Sequence, residues 1–192
     1  LDYIHGQVKE LVTNYGKLDL LWFDFSYDDM TGEKWNPLKG RLTMLFRYDI
    51  RYLRLIRRKK SKIRTLFAMK AARKYGLEIL SDDIGPGLYL GHAHNINVSP
   101  LAKIGKNCNL NKGCTIGREN RGKRIGAPTL GDDVWVGSNS MVVGNIHIGN
   151  DVLIAPNAYV NFDVPEHSIV IGNPAKIIKK ENATDSYITM RI

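Results

Sequence analysis

Residues 130–155, which read LGDDVWVGSNSMVVGNIHIGNDVLIA, place an aliphatic residue at every sixth position. The same step can be followed outward from this stretch in both directions. A small or polar residue usually follows each aliphatic residue, and another small side chain often lies four positions after it. The aliphatic series is Ile84, Leu90, Ile96, Ile104, Leu110, Ile116, Leu130, Val136, Val142, Ile148, Ile154 and Val160.

A period of six matches neither the 3.6-residue turn of a helix nor the two-residue alternation of a strand. It is typical of a solenoid, in which each unit forms a short strand and a turn and each coil is stable only on its neighbours. The sequence therefore predicts a mainly β fold, a left-handed parallel β-helix (hexapeptide-repeat solenoid) preceded by an α-helical N-terminal segment. We expect Ile104 to stack near Leu130, and Leu130 near Ile148.

Glycine or asparagine often follows the aliphatic residue, as at Gly105 and Asn111. This indicates a corner whose backbone conformation is costly for most L-residues. The same register places Cys108 and Cys114 among the small inward side chains. We therefore interpret them as buried residues and not as a disulfide or a metal pair.

The period breaks in three places, where the step is eight residues from Ile96 to Ile104, fourteen from Ile116 to Leu130, and eleven from Val160 to Ile171. The second break extrudes a basic, glycine-rich loop over residues 117–129. Because binding elements are often built on loops that leave a regular scaffold, this loop is a candidate binding element.

Charge divides the chain further. The net charge is +9, but residues 41–74 hold 13 basic side chains and one acidic side chain, a net charge of +12. We predict a basic helical segment over 41–77, the β-helix over 78–180, and a polar, poorly ordered tail over 181–192. With no apolar run of about 18 residues and no signal segment, we expect a cytoplasmic protein.

Residues 41–75 contain no glycine or proline and predict helix with two apolar stripes. We interpret the basic run Arg57–Lys60 between the stripes as a solvated face, with weak peripheral contact to an anionic membrane as the alternative. Because no stacking aromatics accompany it, we expect no nucleic-acid binding. The stripes are Leu42, Leu45, Phe46, Ile50, Leu53 and Ile56, then Ile63, Leu66, Phe67 and Ala71.

Three blocks of the chain, residues 84–92 (IGPGLYLGH), 127–137 (APTLGDDVWVG) and 170–177 (VIGNPAKI), resemble serine O-acetyltransferases and related polysaccharide O-acetyltransferases. The resemblance spans about residues 41–180. It implies an enzyme that moves an acetyl group from acetyl-CoA to a small hydroxyl acceptor, with L-serine the first expectation. It also implies a homotrimer, because sites of this family are shared between subunits.

By this resemblance, His92 is the general base. A hydroxyl is a poor nucleophile until its proton is removed, and imidazole titrates near neutral pH. A carboxylate should orient the imidazole. Glu78 is the first candidate for that role, and Asp82 and Asp83 remain alternatives.

The resemblance also assigns an acetyl-CoA site. It implies that corner residues offer backbone groups to the pantetheine arm, and that lysines near the end of the solenoid bind the CoA phosphates. No metal is expected, because the histidines do not share compatible coil positions. The corner residues are Gly137, Ser138, Ala155 and Pro156, and the lysines are Lys176, Lys179 and Lys180.

The acceptor is less well defined than the donor. Serine acetyltransferases usually carry Asp directly before the base and an Arg-His pair before the proline of the second block. In this sequence those positions are Gly91, Gly126 and Ala127. A sugar or capsular polysaccharide is therefore the alternative acceptor. His94 lies close to His92 and is a candidate to compensate for the missing serine-holding groups, with a structural role as the alternative. A non-catalytic scaffold is a further alternative, against which His92 and the extruded loop argue.

Residues 1–35 differ from the rest and resemble a helix-and-strand piece of family 29 α-L-fucosidases. The resemblance places the nucleophile of those enzymes at Asp24. A (β/α)8 barrel needs about 200 residues or more, and a retaining glycosidase needs a second carboxylate. We therefore predict that residues 1–40 are a fucosidase-like fragment without activity.

Overall fold

The computed structural model describes Tyr48, Tyr52, Leu53, residues 62–189 and residues 191–192. Helix α1 (Lys62–Tyr75) ends at Gly76, whose positive φ of 64° is typical of a helix C-terminus. The chain then enters a solenoid of short strands, numbered β1 to β15 in chain order, that form three sheets. The parallel β-helix predicted from the repeat is confirmed.

Each of the first four coils contributes one strand to each sheet, so neighbouring parallel strands within a sheet come from successive coils. Sheet A holds β1 (Leu77–Ile79), β4 (Ile96–Val98), β7 (Thr115–Gly117), β10 (Met141–Val143) and β13 (Tyr159–Val160). Sheet B holds β2 (Asp83–Ile84), β5 (Lys103–Ile104), β8 (Thr129–Leu130) and β11 (His147–Ile148). Sheet C holds β3 (Tyr89–Gly91), β6 (Asn109–Asn111), β9 (Val134–Val136), β12 (Val152–Ile154), β14 (Ser168–Ile171) and the antiparallel β15 (Lys176–Lys179).

Three lines of corners run along the solenoid, and each is named here by what it carries. The site edge joins sheet C to sheet A at residues 92–95, 112–114, 137–140 and 155–158. The loop edge joins sheet A to sheet B and includes residues 118–128. The strap edge joins sheet B to sheet C at residues 105–108, 131–133, 149–151 and 165–167.

The aliphatic ladder follows the predicted spacing. Ile104 pairs with Leu130, and Leu130 pairs with Ile148, as expected from the repeat. Cys108 and Cys114 are fully buried free thiols in this ladder, which confirms their prediction as core residues. Their burial raises the pKa of each thiol to about 12.

Two steps of the predicted register are wrong. The partner of Ile116 in the neighbouring coil is Val98 and not Ile96, so the extra residues lie between Leu90 and Val98. Ile96 is nevertheless fully buried, because it enters the same core two positions earlier on β4. In the last coil Val170 faces Ile154, whereas Ile171 is 41% exposed.

The glycines after the aliphatic residues have a different role from the one predicted. A Cβ on Gly105 would overlap the backbone of Gly131 in the next coil, so close approach of the coils excludes a side chain. The left-handed backbone lies two residues later, at Asn107, and again at Asp133 and Asp151. Asparagine and aspartate tolerate this conformation better than most residues.

The helical segment matches its predicted stripes only in part. Leu53 is buried in the core, as the first stripe predicts. Leu66 of the second stripe is 66% exposed, so this residue does not pack on the described part of the chain. The remaining stripe residues and the run Arg57–Lys60 lie outside the described residues or have no described side chain.

The tail forms a strap, residues 181–189 and 191–192, which contradicts the prediction of a poorly ordered end. It runs back along the strap edge and binds the left-handed corner residues of successive coils. Asp151 accepts bonds from Ala183 N (3.0 Å), Thr184 N (2.9 Å) and Thr184 Oγ1 (2.7 Å). Arg191 Nε reaches Asp133 Oδ1 at 2.9 Å.

Apolar contacts also hold the strap against the solenoid. Tyr187 packs edge-on against Trp135 with ring centroids 4.9 Å apart, and Ile188 is 2% exposed. Beyond these contacts, Ile192 N donates to Asn107 Oδ1 at 3.0 Å. Composition could not show this, because the polar groups that hold the strap are corner side chains distant in sequence.

Candidate functional site

His92 lies on a bulge at the site edge of the first coil. The other site-edge corners separate consecutive ladder residues by six positions, whereas Leu90 and Val98 are eight apart. Lys112 N donates to Gly91 O and Gly113 N donates to His94 O, each at 2.9 Å, so the next coil holds both ends of the bulge. His92 is exposed and has a left-handed φ of 49°. The corner thus presents an imidazole to solvent on a fixed backbone.

Glu78 and this bulge belong to the same coil of the solenoid. It is the central, outward residue of β1, which opens the coil that the bulge closes, and it pairs with Asn97 of β4. Asp82 lies beyond β1 at the loop edge, and Asp83 begins β2 in sheet B, so both lie on the far side of sheet A. Topology therefore favours Glu78 over both aspartates. Among the described residues of one chain, no hydrogen bond joins His92 to a carboxylate.

His94 lies inside an aromatic cluster next to the bulge. Its ring centroid is 5.4 Å from that of Tyr48 and 5.6 Å from that of Tyr75. Sequence reasoning left open whether His94 supports the reaction or the fold. The structure places it against the helical segment.

The four predicted pantetheine corners lie on the same edge as His92. Gly137 and Ala155 use their backbone N–H and C=O groups in bonds within and between coils. A Cβ on Gly137 would overlap the backbone of Pro156, so this glycine has a packing role. Ser138 has a half-buried side chain whose hydroxyl bonds to no described residue, and is the corner best able to bind a ligand.

The three lysines occupy different positions. Lys176 begins β15 opposite Ile171, next to the site edge, and its side chain is exposed. Lys179 pairs with Ser168 at the other end of that strand, and its Nζ donates to Glu166 O at 3.0 Å. Lys180 N donates to His167 O, also at the strap edge. Only Lys176 therefore lies on the same side of sheet C as His92.

Asn111, which sequence reasoning did not single out, explains why position 91 is glycine. A Cβ on Gly91 would overlap Asn111 Oδ1. Asn111 is buried, and its Nδ2 donates to Val136 O at 2.9 Å. The space that a carboxylate side chain on residue 91 would need is therefore occupied by a neutral amide that is already hydrogen-bonded.

The extruded loop is a small hairpin on the loop edge. Glu119 and Gly126 exchange both backbone hydrogen bonds, and Glu119 Oε2 pairs with Arg124 Nε at 3.1 Å. Arg118, Arg121 and Lys123 are exposed and have no ion-pair partner among the described residues. Because the loop leaves from sheet A and His92 lies at the opposite end of that sheet's strands, the two features occupy different edges of one chain.

Within the described part of the chain, no three His, Cys, Asp or Glu side chains are grouped as a metal ion would require. None of its helices is long and apolar enough to cross a membrane.

Comparison with known proteins agrees with this geometry. A family model described as bacterial transferase hexapeptide (six repeats) matches residues 127–161. Serine acetyltransferase of Helicobacter pylori is 37% identical over 98 residues, covering 51% of this chain and 57% of that protein. The chain therefore carries the hexapeptide repeat of bacterial transferases over residues 127–161 and is similar to serine acetyltransferases.

Other serine acetyltransferases show the same partial overlap with this chain. Serine acetyltransferase of Staphylococcus xylosus is 32% identical over 130 residues, which cover 66% of this chain and 59% of that protein. The crystal structure of Neisseria gonorrhoeae serine acetyltransferase in complex with serine superposes with a TM-score of 0.62 at 27% identity, covering 72% of this chain and 60% of that one. The chain thus spans less than two thirds of the length of these relatives.

The resemblance of residues 1–35 to fucosidases receives no support from these comparisons. Those residues, including Asp24, lie outside the described part of the chain. Their assignment as an inactive fragment stays a prediction, as do the boundaries proposed for the other segments.

Proposed function

We propose that this protein is an O-acetyltransferase that moves the acetyl group of acetyl-CoA to a hydroxyl, with L-serine as the first acceptor. The observation that carries the proposal is the exposed His92 on its bulge at the site edge. The relatives with which the chain shares this fold are serine acetyltransferases.

In the proposed reaction, His92 removes the proton from the acceptor hydroxyl as its oxygen attacks the thioester carbonyl. The tetrahedral oxyanion collapses, the C–S bond breaks, and the CoA sulfur leaves with the proton that the imidazole held. Glu78 would fix the orientation of the imidazole. Ser138 would bind the pantetheine arm, and Lys176 would contact a CoA phosphate.

A homotrimer is the proposed active form. In a single chain the site edge is open, and the extruded loop lies on another edge, so a second copy could bring its loop to His92. Analytical ultracentrifugation measures the mass directly. A monomer that is fully active at the assayed concentration would refute the trimer.

The experiment that tests the function measures thiol release from acetyl-CoA with and without L-serine. His92→Ala should lower kcat by about 10²–10⁴-fold, the usual contribution of a general base. His147→Ala is the matched control, because His147 is also exposed but lies on β11 in sheet B. Equal activity of His92→Ala and the parent protein would refute the assignment of His92.

A sugar hydroxyl is the second candidate acceptor, and the packing of Gly91 against Asn111 favours it. A zwitterionic amino acid loses hydration in a closed site and needs charged partners there. Positions 91, 126 and 127 offer no charged side chain, and a Cβ on Gly126 would lie 2.9 Å from Asn145 Cβ. His92-dependent thiol release with neutral hexoses or N-acetylhexosamines, but none with serine, would establish this alternative.

The cellular location and weaker contacts remain predictions. We propose a cytoplasmic enzyme that binds no nucleic acid. Contact between Arg57–Lys60 and an anionic membrane is a minor alternative, which sedimentation with phosphatidylserine vesicles would test.

A further inference from the structure

The first coil differs from the coils that follow it, because no other coil of the described residues covers its outer side. Strand β1 is the end strand of sheet A, with β4 on one side only. The bulge that carries His92 belongs to this end coil. Within the described residues, Tyr48, Tyr52 and Tyr75 of the helical segment contact this coil from its outer side.

Tyr52 supplies one such contact. Its hydroxyl donates to Leu77 O at 2.9 Å and accepts from Ile79 N at 3.0 Å. These two groups flank Glu78 on the free edge of β1. Tyr52 is 2% exposed, and this burial raises the pKa of its hydroxyl, which therefore stays protonated and able to donate.

Tyr48 and Tyr75 supply the second contact. Their rings stack with centroids 3.8 Å apart, and both touch the ring of His94, two residues after His92. The backbone joins them, because Asn95 N donates to Tyr75 O at 3.0 Å. The C-terminal end of the bulge is thus fixed to the end of α1.

We propose that Tyr48, Tyr52 and Tyr75 form a tyrosine platform that positions Glu78 and His92 relative to each other. The proposal rests on the proposed function, since it gives the platform a role in acetyl transfer. Tyr52 fixes the strand that carries the carboxylate, and the Tyr48–Tyr75 pair fixes the corner that carries the base. The platform thus supports the outer side of the first coil, where the described residues place no further coil.

Such positioning matters because proton transfer depends on geometry. A displacement of about 1 Å at a reacting group can cost about 10²-fold in rate. Loss of one hydroxyl that bridges two backbone groups should displace Glu78 by less than this. The loss should lower kcat. Acetyl-CoA binding should be unchanged, because it uses other corners.

The test compares Tyr52→Phe with Tyr75→Phe. Each variant removes one hydroxyl and keeps the ring, but the Tyr75 hydroxyl bonds to no described residue. We expect Tyr52→Phe to lower kcat about tenfold with the KM for acetyl-CoA changed less than about twofold. Tyr75→Phe should behave as the parent protein. Equal losses in the two variants, or no loss in Tyr52→Phe, would overturn the platform.

The second contact is tested at His94. His94→Phe keeps a ring against Tyr48 and Tyr75, whereas His94→Ala removes it. We expect His94→Ala to lower kcat and His94→Phe to restore most of it. Restoration by Phe also shows that His94 is a positioning residue with no titrating role, and a Phe variant as impaired as the Ala variant would refute this.

The activity of each folded molecule separates positioning from simple loss of folded protein. A smaller folded fraction lowers kcat only in proportion to the folded protein that remains, whereas a displaced Glu78 lowers kcat in fully folded protein. We expect kcat, corrected for the folded fraction from a denaturant unfolding curve, to fall in Tyr52→Phe, and an unchanged corrected kcat contradicts the platform. An inactive parent protein, or one unaffected by His92→Ala, would instead refute the proposed function itself.

Discussion

The site edge and the strap edge turn the chain in the same way but are covered differently. At each edge a residue with left-handed backbone closes the corner, such as Asn139 on the site edge and Asp151 on the strap edge. On the strap edge the corner side chains are bound by the C-terminal strap. On the site edge the corner side chains of Asn139 and Asn157 remain exposed. The left-handed turn closes the corner on both edges, as the fold requires. The corner side chains bind the strap on one edge and are free to bind a ligand on the other.

The largest expected effect comes from what the two edges share. Gly137→Ala on the site edge and Gly105→Ala on the strap edge each force a Cβ against the backbone of the next coil. Each should lower the free energy of unfolding by about 3 kcal/mol, the upper part of the range for overpacking. Thermal or denaturant unfolding measures both, with Lys106→Ala as the exposed control. If only one of the two variants lost stability, the contacts between coils at the two edges would not be equivalent.

The next largest effect distinguishes the strap edge from the site edge. Asp151→Asn removes the charge that receives three bonds from the strap, and should cost about 2 kcal/mol. Limited proteolysis should then cut the strap before the solenoid. Asp83→Asn, an exposed aspartate on sheet B, is the matched control. If proteolysis of the strap were unchanged, Asp151 would not be the residue that holds it.

The strap edge should also respond to pH. The carboxyl of Asp151 is desolvated, but bonds from Thr184, His167 and Ala183 outweigh this and lower its pKa below 3.8. The bond to Asp151, whose Oδ2 lies 2.9 Å from His167 Nδ1, raises the pKa of His167 above 6.5.

The two groups stabilise the strap over different pH ranges. The Asp151 contribution is complete above pH 3.8 and is lost as the pH falls through its lowered pKa. The His167 contribution is complete below pH 6.5 and is lost as the pH rises through its raised pKa. Trp135 fluorescence should therefore report the tightest strap between these values. The same dependence in Asp151→Asn would contradict this assignment.

The smallest effect tests the site edge alone. Ser138→Ala should raise the KM for acetyl-CoA about fivefold, as expected for a lost hydrogen bond of about 1 kcal/mol. Stability should be unchanged, because the Ser138 hydroxyl bonds to no described residue. Lys179→Ala serves as the control, since its Nζ contacts Glu166 O at the other edge. If Lys179→Ala raised the KM more than Ser138→Ala, acetyl-CoA would bind at the strap edge and not at the site edge.

The errors in sequence interpretation have physical causes. Ile96 and Val98 are both aliphatic and both buried, so a count of six could not show which one matches Ile116. The same ambiguity affects Val170 and Ile171, which differ in the side of the sheet they face. The exclusion of a Cβ at Gly91 could not be foreseen, because it depends on Asn111 in the next coil.

The sequence by itself determined the solenoid, its aliphatic ladder and the buried cysteines, because these follow from residues that recur at a fixed short spacing. Only the tertiary structure decided which edge carries each group. It separated Lys176 from Lys179, placed Asp151 under the strap, and brought Tyr52 against the strand of Glu78. These contacts join residues from 13 to 33 positions apart, or from separate coils, and no local pattern encodes such distances.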